Sequence, residues 1–530
     1  MRRALEHATV WTIALALLAA PAGAWAQQQT PAAPTAPGSQ TPQVDRYVVG
    51  QARPPEVPGT TIVDMTLEQV IERALEKNLE LKVARLEPRN LDFQLQSIRA
   101  SYTPTITSSF SYSNSSQRSE NRLDGVSRVT NQSQGYNNSW RQNLPWFGGN
   151  YQLSFNNSRA ARNVVTATRN PDYSSSFAMS YSMPLLQGFM VDQNRNRLQT
   201  LAVQRNIEDL RLQIQIENLK NTIRVAYWSL RSAIEQIEIQ KRALELQNRT
   251  LAENRIRIEL GAMAPIEIVQ QEANIASTEQ GLLQAEITFR NAELNLKRLL
   301  VDSPADELFR QTINPVDIPA VLPPAVDIPG AIQLAMSSRL DVTQARRNLD
   351  VTRMNLEVTA DALKPSLTFN SGYTLRGNGG PSEDAPTGGY FDALEAIGKF
   401  DTPSWNLSFN FNYPLGMRAA RASYAQAQLG IEQAEIQLQA QELSITTEVT
   451  DAGLAVENNY KSLQASIKTR EASERNAEAA RTRFEVGMAT NFEVVTAQNQ
   501  LTQALLNELT RTIAYMNAIA NFEKVQRISR

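Results

Sequence analysis

The chain has 530 residues, with 52 Lys+Arg against 54 Asp+Glu and a formal net charge of -2. No basic excess exists to draw it onto nucleic acid, and 42% hydrophobic content excludes a chain that is disordered throughout. Cysteine is absent and His7 is the single histidine, so disulfides, Cys-based zinc sites and thiol nucleophiles are excluded.

The first 26 residues read as a secretory signal peptide: Arg2 and Arg3, an apolar run from Val10 to Ala20, and a small-x-small site at Ala24-Trp25-Ala26. Cleavage after Ala26 removes His7, which leaves no His general base, Ser-His-Asp triad or His-ligated metal. Residues 27–62 follow as a Pro-rich arm, with Pro31, Pro34, Pro37, Pro42, Pro54, Pro55 and Pro58, and are expected to lack order. The first repeat spans 63–301. Thr66 to Gln69 form a capping box, and Leu67, Val70, Ile71, Ala74 and Leu75 keep a helical period. The helical pattern runs to about Ala100 and stops at Pro104.

The period then changes to two. Strands are predicted near 104–113 (Ile106, Phe110, Tyr112 apolar) and 174–184 (Phe177, Met179, Tyr181, Met183 apolar), with Ser and Thr between. The loop between them is long, and Trp140 to Phe155 around Gly148-Gly149 is a candidate for an additional hairpin. Long helices are predicted at 192–259 and 265–300, the first roughly 100 Å long at 1.5 Å per residue. Helices of that length imply coiled-coil packing. Residues 302–326, with Pro304, Pro315, Pro319, Pro323 and Pro324, read as a linker. The second repeat, 327–528, has a helix, strands near 366–375 and 404–413, and helices at 418–485 and 491–525.

The halves are copies of one unit. At an offset of 226, Arg257/Arg483, Glu259/Glu485, Gly261/Gly487, Glu267/Glu493 and Asn291/Asn517 coincide. At an offset of 261, Ala74/Ala335, Leu79/Leu340 and Pro104/Pro365 coincide, so the first unit carries about 35 extra residues. No segment reaches 18 consecutive apolar residues, so entry into a membrane requires a closed β-barrel. Four strands are too few to close one alone, and open edges in lipid leave backbone groups unpaired, so the barrel has to be shared between subunits. A soluble β-sandwich is the competing reading of the alternation. Against it, one face is almost wholly Ser, Thr and Asn. Trp405, Leu407, Phe409, Phe411 and Tyr413 form a lipid-facing strand in the barrel reading.

The chain resembles the TolC-like outer-membrane efflux and secretion channels over nearly all of the mature length. The resemblance rests on Tyr102-Thr103-Pro104 and Lys364-Pro365-Ser366 before the first strand of each repeat. It rests also on Met183-Pro184-Leu185-Leu186-Gln187-Gly188 and Tyr413-Pro414-Leu415-Gly416 after the second, and on Ala226-Tyr227-Trp228-Ser229-Leu230 in the long helix. It implies an α+β membrane protein: a long helical coiled-coil barrel across the periplasm and a transmembrane β-barrel shared by a homotrimer, four strands per subunit. It further implies a periplasmic adaptor (membrane fusion protein), an RND-type or ABC-type inner-membrane transporter, and outer-membrane lipid as partners, with no cofactor, no catalysis and no nucleic acid. Some members carry a lipidated cysteine; this chain has none and is expected to be held by its barrel alone.

The resemblance places a gate and an adaptor surface at the periplasmic helical tip. Glu493 and Glu267 match positions where members carry an acid, and a ring of Glu493 copies would favour cations. Both acids also fit helix starts, Glu493 through Thr490 and Glu267 after Pro265, so capping and gating readings stand side by side. Thr496, Phe484 and Ala489 stand where better-known members carry a second acid, a Tyr and an Arg, so Phe484 is a candidate apolar gate or a seam residue. Gly261 and Gly487 supply the hairpin turns and, with Arg257 and Arg483, the candidate adaptor contacts. The alternative function is a non-conducting coiled-coil protein of the envelope. An outer-membrane hydrolase is disfavoured, since no Gly-x-Ser-x-Gly elbow is present.

Overall fold

A computed structural model describes residues 52–55, 59–120, 122–261, 263–318, 321–383 and 386–526. The predicted signal peptide and most of the Pro-rich arm lie outside the described residues. The chain enters through strand β1 (Ile62–Met65) and helices α1 (Leu67–Lys77), α2 (Leu79–Ala84) and α3 (Glu87–Ala100). The capping box at Thr66 is formed: its side chain accepts from Gln69 N–H, and the Gln69 side chain accepts from Thr66 N–H. The single helix expected over this stretch is broken at Asn78, whose side chain caps α2 by accepting from Leu81 N–H at 3.0 Å.

Four strands follow, the two predicted and, between them, a hairpin at the candidate turn around Gly148-Gly149: β2 (Thr105–Arg118), β3 (Arg128–Asn143), β4 (Asn150–Arg162) and β5 (Asp172–Pro184). Helices α4 (Gln193–Glu259) and α5 (Ile266–Leu300) close the first repeat. Asp192 caps α4 with bonds from Asn194 and Arg195 N–H, and 67 uninterrupted residues give a helix of about 100 Å. The Pro-rich linker carries regular structure. It holds the short helix α6 (Glu307–Arg310) and strand β6 (Thr312–Pro315), which pairs in parallel with β1.

The second repeat runs α7 (Ile328–Ser338), α8 (Leu340–Asp361), β7 (Ser366–Gly379), α9 (Tyr390–Gly398), β8 (Pro403–Asn412), α10 (Arg418–Glu485) and α11 (Asn491–Gln526). The large sheet is antiparallel throughout, in the order β2-β3-β4-β5-β7-β8. No helix among the described residues is long and apolar enough to cross a membrane.

The core sits where the long helices pass the β1–β6 pair. Ile223, Tyr227, Leu230 and Ile234 are fully buried there, with Leu296, Leu300 and Ile313. The Tyr227 hydroxyl lies 2.8 Å from Asp317 Oδ2 and 3.1 Å from the Met65 carbonyl, and accepts from Asp317 N–H at 3.1 Å. Burial pushes the Tyr227 pKa up, so the hydroxyl keeps its proton. Arg231 and Glu235 form a buried ion pair at 2.7 Å, one helical turn apart. Arg231 also donates to the Ala52 and Pro315 carbonyls, and Ala52 N–H reaches Glu235 Oε1 at 3.4 Å. The end of the Pro-rich arm is therefore packed on α4, contrary to the expectation of disorder up to residue 62. The matching core of the second repeat joins Ala335, Val342, Ile445, Val449, Val456 and Tyr515.

Candidate functional site

Two regions carry the features that the sequence singled out. The first is the sheet. Residues directly opposite across a ladder share a face, so the registers can be followed across it. Ile106, Trp140, Leu153, Met179, Tyr373 and Trp405 form one continuous row, apolar on every strand. The adjacent row on the opposite face is Thr107, Ser139, Ser154, Ala178, Thr374 and Ser404. One face is thus oily and the other small and polar, because the sequence alternates with period two. Trp405, Leu407, Phe409 and Phe411 all lie on the oily face of β8 and are exposed, Trp405 by 73%; Tyr413 follows just after the strand. Strands β2 and β8 each pair on one side only, leaving two open edges.

At one end of the oily face α9 covers the sheet. The Tyr390 hydroxyl donates to Asn157 Oδ1 at 2.9 Å. Gly377 is required by close approach: a Cβ there would stand 1.9 Å from the Ala393 carbonyl oxygen. Alternation gives no sign of this helix, which lies in the stretch between the two strands of the second repeat.

The second region is the tip of the helical hairpins, where α4 turns into α5 and α10 into α11. Gly261 and Gly487 adopt φ of 71° and 77°, and a Cβ at either would meet open space, so the left-handed turn alone calls for glycine. Half of the expected capping box forms at the start of α11: Glu493 N–H donates to Thr490 Oγ1 at 3.3 Å, but the Glu493 carboxylate meets the Thr490 hydroxyl, at 3.3 Å, in place of the Thr490 backbone N–H. Glu493 is nevertheless exposed. Half-buried Glu267 lines a cleft of about 260 Å³ with Gln270, Asn274, Thr490, Asn491, Phe492 and Val495. The two candidate acids therefore sit near one groove between hairpins.

Phe484 is buried at 7% exposure against Ala480, Val494 and Ala497, with Met263, Ala477 and Ala489 around them. This is the seam position, inside the chain's own tip. The Arg257 guanidinium sits 4.4 Å from the centre of the Phe484 ring and donates to the Phe484 carbonyl at 3.4 Å. Arg257 thus braces one hairpin against the other, whereas Arg483 is exposed.

Sequence reasoning missed a polar layer behind these residues. Buried Asn254 donates to buried Asn491 at 2.8 Å, and Gln247 donates to Asn499 at 3.1 Å, both linking α4 to α11. Gln271 donates to the Gln247 carbonyl at 3.3 Å. Asn and Gln at seam positions of a coiled coil are the signal that could have found it, since they fix register at a cost in stability.

The sequence profile of the family described as outer membrane efflux protein matches residues 70–301 and 331–525. No curated protein is a significant sequence match. The fold is similar to that of the Campylobacter jejuni CmeC outer membrane channel, at 16% identity and a TM-score of 0.62, covering 87% of this chain and 85% of that one. It is similar to the Vibrio cholerae outer membrane protein VceC at 15% identity and TM-score 0.61, covering 87% and 96%. The open state of the Neisseria gonorrhoeae MtrE outer membrane channel gives 19% identity and TM-score 0.58, covering 92% and 97%.

Proposed function

The chain belongs to the outer membrane efflux protein family, and from that premise we propose that it is a homotrimeric channel-tunnel of the outer membrane. In this reading it is a passive exit duct for efflux or type I secretion. An RND-type or ABC-type inner-membrane transporter supplies the energy through a periplasmic adaptor, and the mature chain begins after Ala26. The duct does no covalent chemistry: it provides a wall, a gate and a docking surface.

The observation that carries the reading is the two-faced sheet with open edges at β2 and β8, set on helices about 100 Å long. An oily face with exposed Trp405, Phe409 and Phe411 suits lipid, and a Ser, Thr and Asn face suits water. Open edges are intolerable in lipid, so β2 of one copy pairs with β8 of the next until the wall closes. A coiled-coil spacer of the envelope needs no such sheet. The two repeats then supply the tunnel helices. At the tip, Glu493 and Glu267 line the gate region, Phe484 and Arg257 pack the two hairpins of each chain together, and the Gly261 and Gly487 turns, with Arg483, meet the adaptor.

The test is cross-linking of the tagged protein in its native envelope, followed by identification of partners by mass. Recovery of an adaptor with a proton-driven or ATP-driven inner-membrane pump is expected. Recovery of neither, under conditions that trap other envelope complexes, would overturn the duct reading in favour of the structural one.

A further inference from the structure

The β3–β4 hairpin has no counterpart in the second repeat, where β7 and β8 pair directly. It is placed as wall, in the plane of the sheet. It separates β2 from β5 along their length, with fourteen residue pairs between β2 and β3, thirteen between β3 and β4, and eleven between β4 and β5. The hairpin also spans the sheet from end to end. Its turn, Leu144 to Gly149, reaches the loop that leads into α4: Phe147 stacks on Phe189 at 4.7 Å. Gly148, at φ 63°, lies so close that a Cβ would stand 2.7 Å from the Gly188 carbonyl oxygen. The hairpin keeps the alternation of its neighbours, with Tyr136, Trp140, Tyr151, Leu153 and Phe155 on the oily side, interrupted on β3 by Gln134, Asn138 and Gln142. Ser139, Asn137, Ser154 and Asn156 lie on the polar side, so it adds width and nothing that would plug a lumen.

We propose that each copy contributes six strands to the membrane wall, so that the three-copy assembly closes an eighteen-stranded barrel whose bore passes cargo too bulky for a twelve-stranded one. The inference rests on the three-copy reading above. With strands about 4.8 Å apart and tilted about 40°, eighteen strands give a backbone diameter of about 36 Å, against about 24 Å for twelve. Allowing about 5 Å of side chain on each wall, the bore is about 26 Å against about 14 Å. Barrels of that strand number leave an aqueous channel. A bore of about 26 Å admits a polypeptide passing as two packed helices, roughly 20 Å across; one of about 14 Å admits a single helix. The constriction then lies at the helical tip, and the membrane section sets no size limit below it.

The test exploits the absence of cysteine. Ser109 and Asn137 are partners across β2 and β3, while Ser109 and Ser176 lie in the same row three strands apart. In outer-membrane-inserted protein, Ser109→Cys with Asn137→Cys is expected to form a disulfide within one chain, and Ser109→Cys with Ser176→Cys is expected to form none. The reverse result, with β2 lying directly on β5 and the hairpin displaced, would overturn the proposal, as would failure of the first pair to link. Native mass spectrometry gives the copy number separately. A copy number other than three defeats the assembly reading while leaving six strands per copy intact. With three copies, electron microscopy is expected to show a barrel ring of about 36 Å, and a ring of about 24 Å would overturn the proposal.

Discussion

Replacing Phe484 by alanine tests what holds the tip together. The ring is 7% exposed and its neighbours Ala480, Ala489 and Ala497 are small, so the space left behind cannot be refilled from the sides; only Met263 has length to lean in. Truncating a buried Phe costs about 3–5 kcal/mol, and the lower end applies at a hairpin end that can relax. Loss of the Arg257 cation–π contact adds about 0.5–1 kcal/mol. The sum, about 3.5–4 kcal/mol, corresponds to an increase in local opening of roughly 300- to 700-fold. Hydrogen exchange of the intact assembly, read by mass spectrometry, is expected to show protection lost across residues 480–500 and kept in the strands. Arg257→Gln keeps the ring packed and is expected to lose about fivefold in the same segment. Unchanged protection at the tip in Phe484→Ala would refute the argument that this packing holds the hairpins together. So would an effect of Arg257→Gln as large as that of Phe484→Ala.

Three further outcomes follow. Glu493→Gln in the purified protein is expected to lower cation over anion selectivity in planar bilayers, because Glu493 is exposed and its carboxylate engages only the Thr490 hydroxyl; unchanged selectivity assigns it to the helix start alone. Arg231→Met is expected to destabilise the fold by about 3–5 kcal/mol, since Arg231 and Glu235 are 3% and 0% exposed and the change removes the cation from a buried carboxylate. Denaturant midpoints measure this, and a loss below about 1 kcal/mol would contradict the burial of the pair. The Lys82 ammonium, 2.8 Å from Asp302, holds the Asp302 carboxyl below its ordinary pKa. A depressed folded pKa contributes stability that is fully present above the unfolded value and is lost as pH falls through the folded one. The melting temperature of Asp302→Asn is therefore expected to fall below that of the unsubstituted protein at pH 7 and to converge with it as pH drops below the folded pKa of Asp302.

Much of the architecture is legible because period two and period 3.6 are hard to confuse over long segments. β8 alternates without a break from Trp405 to Phe411, and α4 has no proline to stop it. The β3–β4 hairpin is visible only in part. On β3 the oily face carries Trp140 and Tyr136 but also Gln142, Asn138 and Gln134, which blurs the alternation. A clearer signal lies in the turns. Leu144-Pro145 to Gly148, Met183-Pro184 to Gly188 and Tyr413-Pro414 to Gly416 each end a strand with proline and then a glycine at positive φ. The last two mark strand ends in the sequence reading, and the first has the same form. The tip residues can be located from the repeat but not assigned, because an acid after Thr490 serves a helix start and a pore equally well. Phe484 stands between gate and seam for a similar reason: a single apolar residue in a long coiled coil carries no mark of which neighbour it meets.

The central claim is that the wall is shared, with β2 of one copy closing on β8 of the next. Within one chain these strands lie at opposite ends of the six-stranded order, roughly 24 Å apart at about 4.8 Å per strand, beyond the reach of a disulfide. Introducing single cysteines at Ser109 on β2 and, in steps, at Asn406, Ser408 and Asn410 on β8 tests this directly in outer-membrane preparations. At one register, oxidation is expected to give a ladder of linked chains that ends at three. Monomers alone at every register, or links formed only within single chains, would contradict the shared barrel.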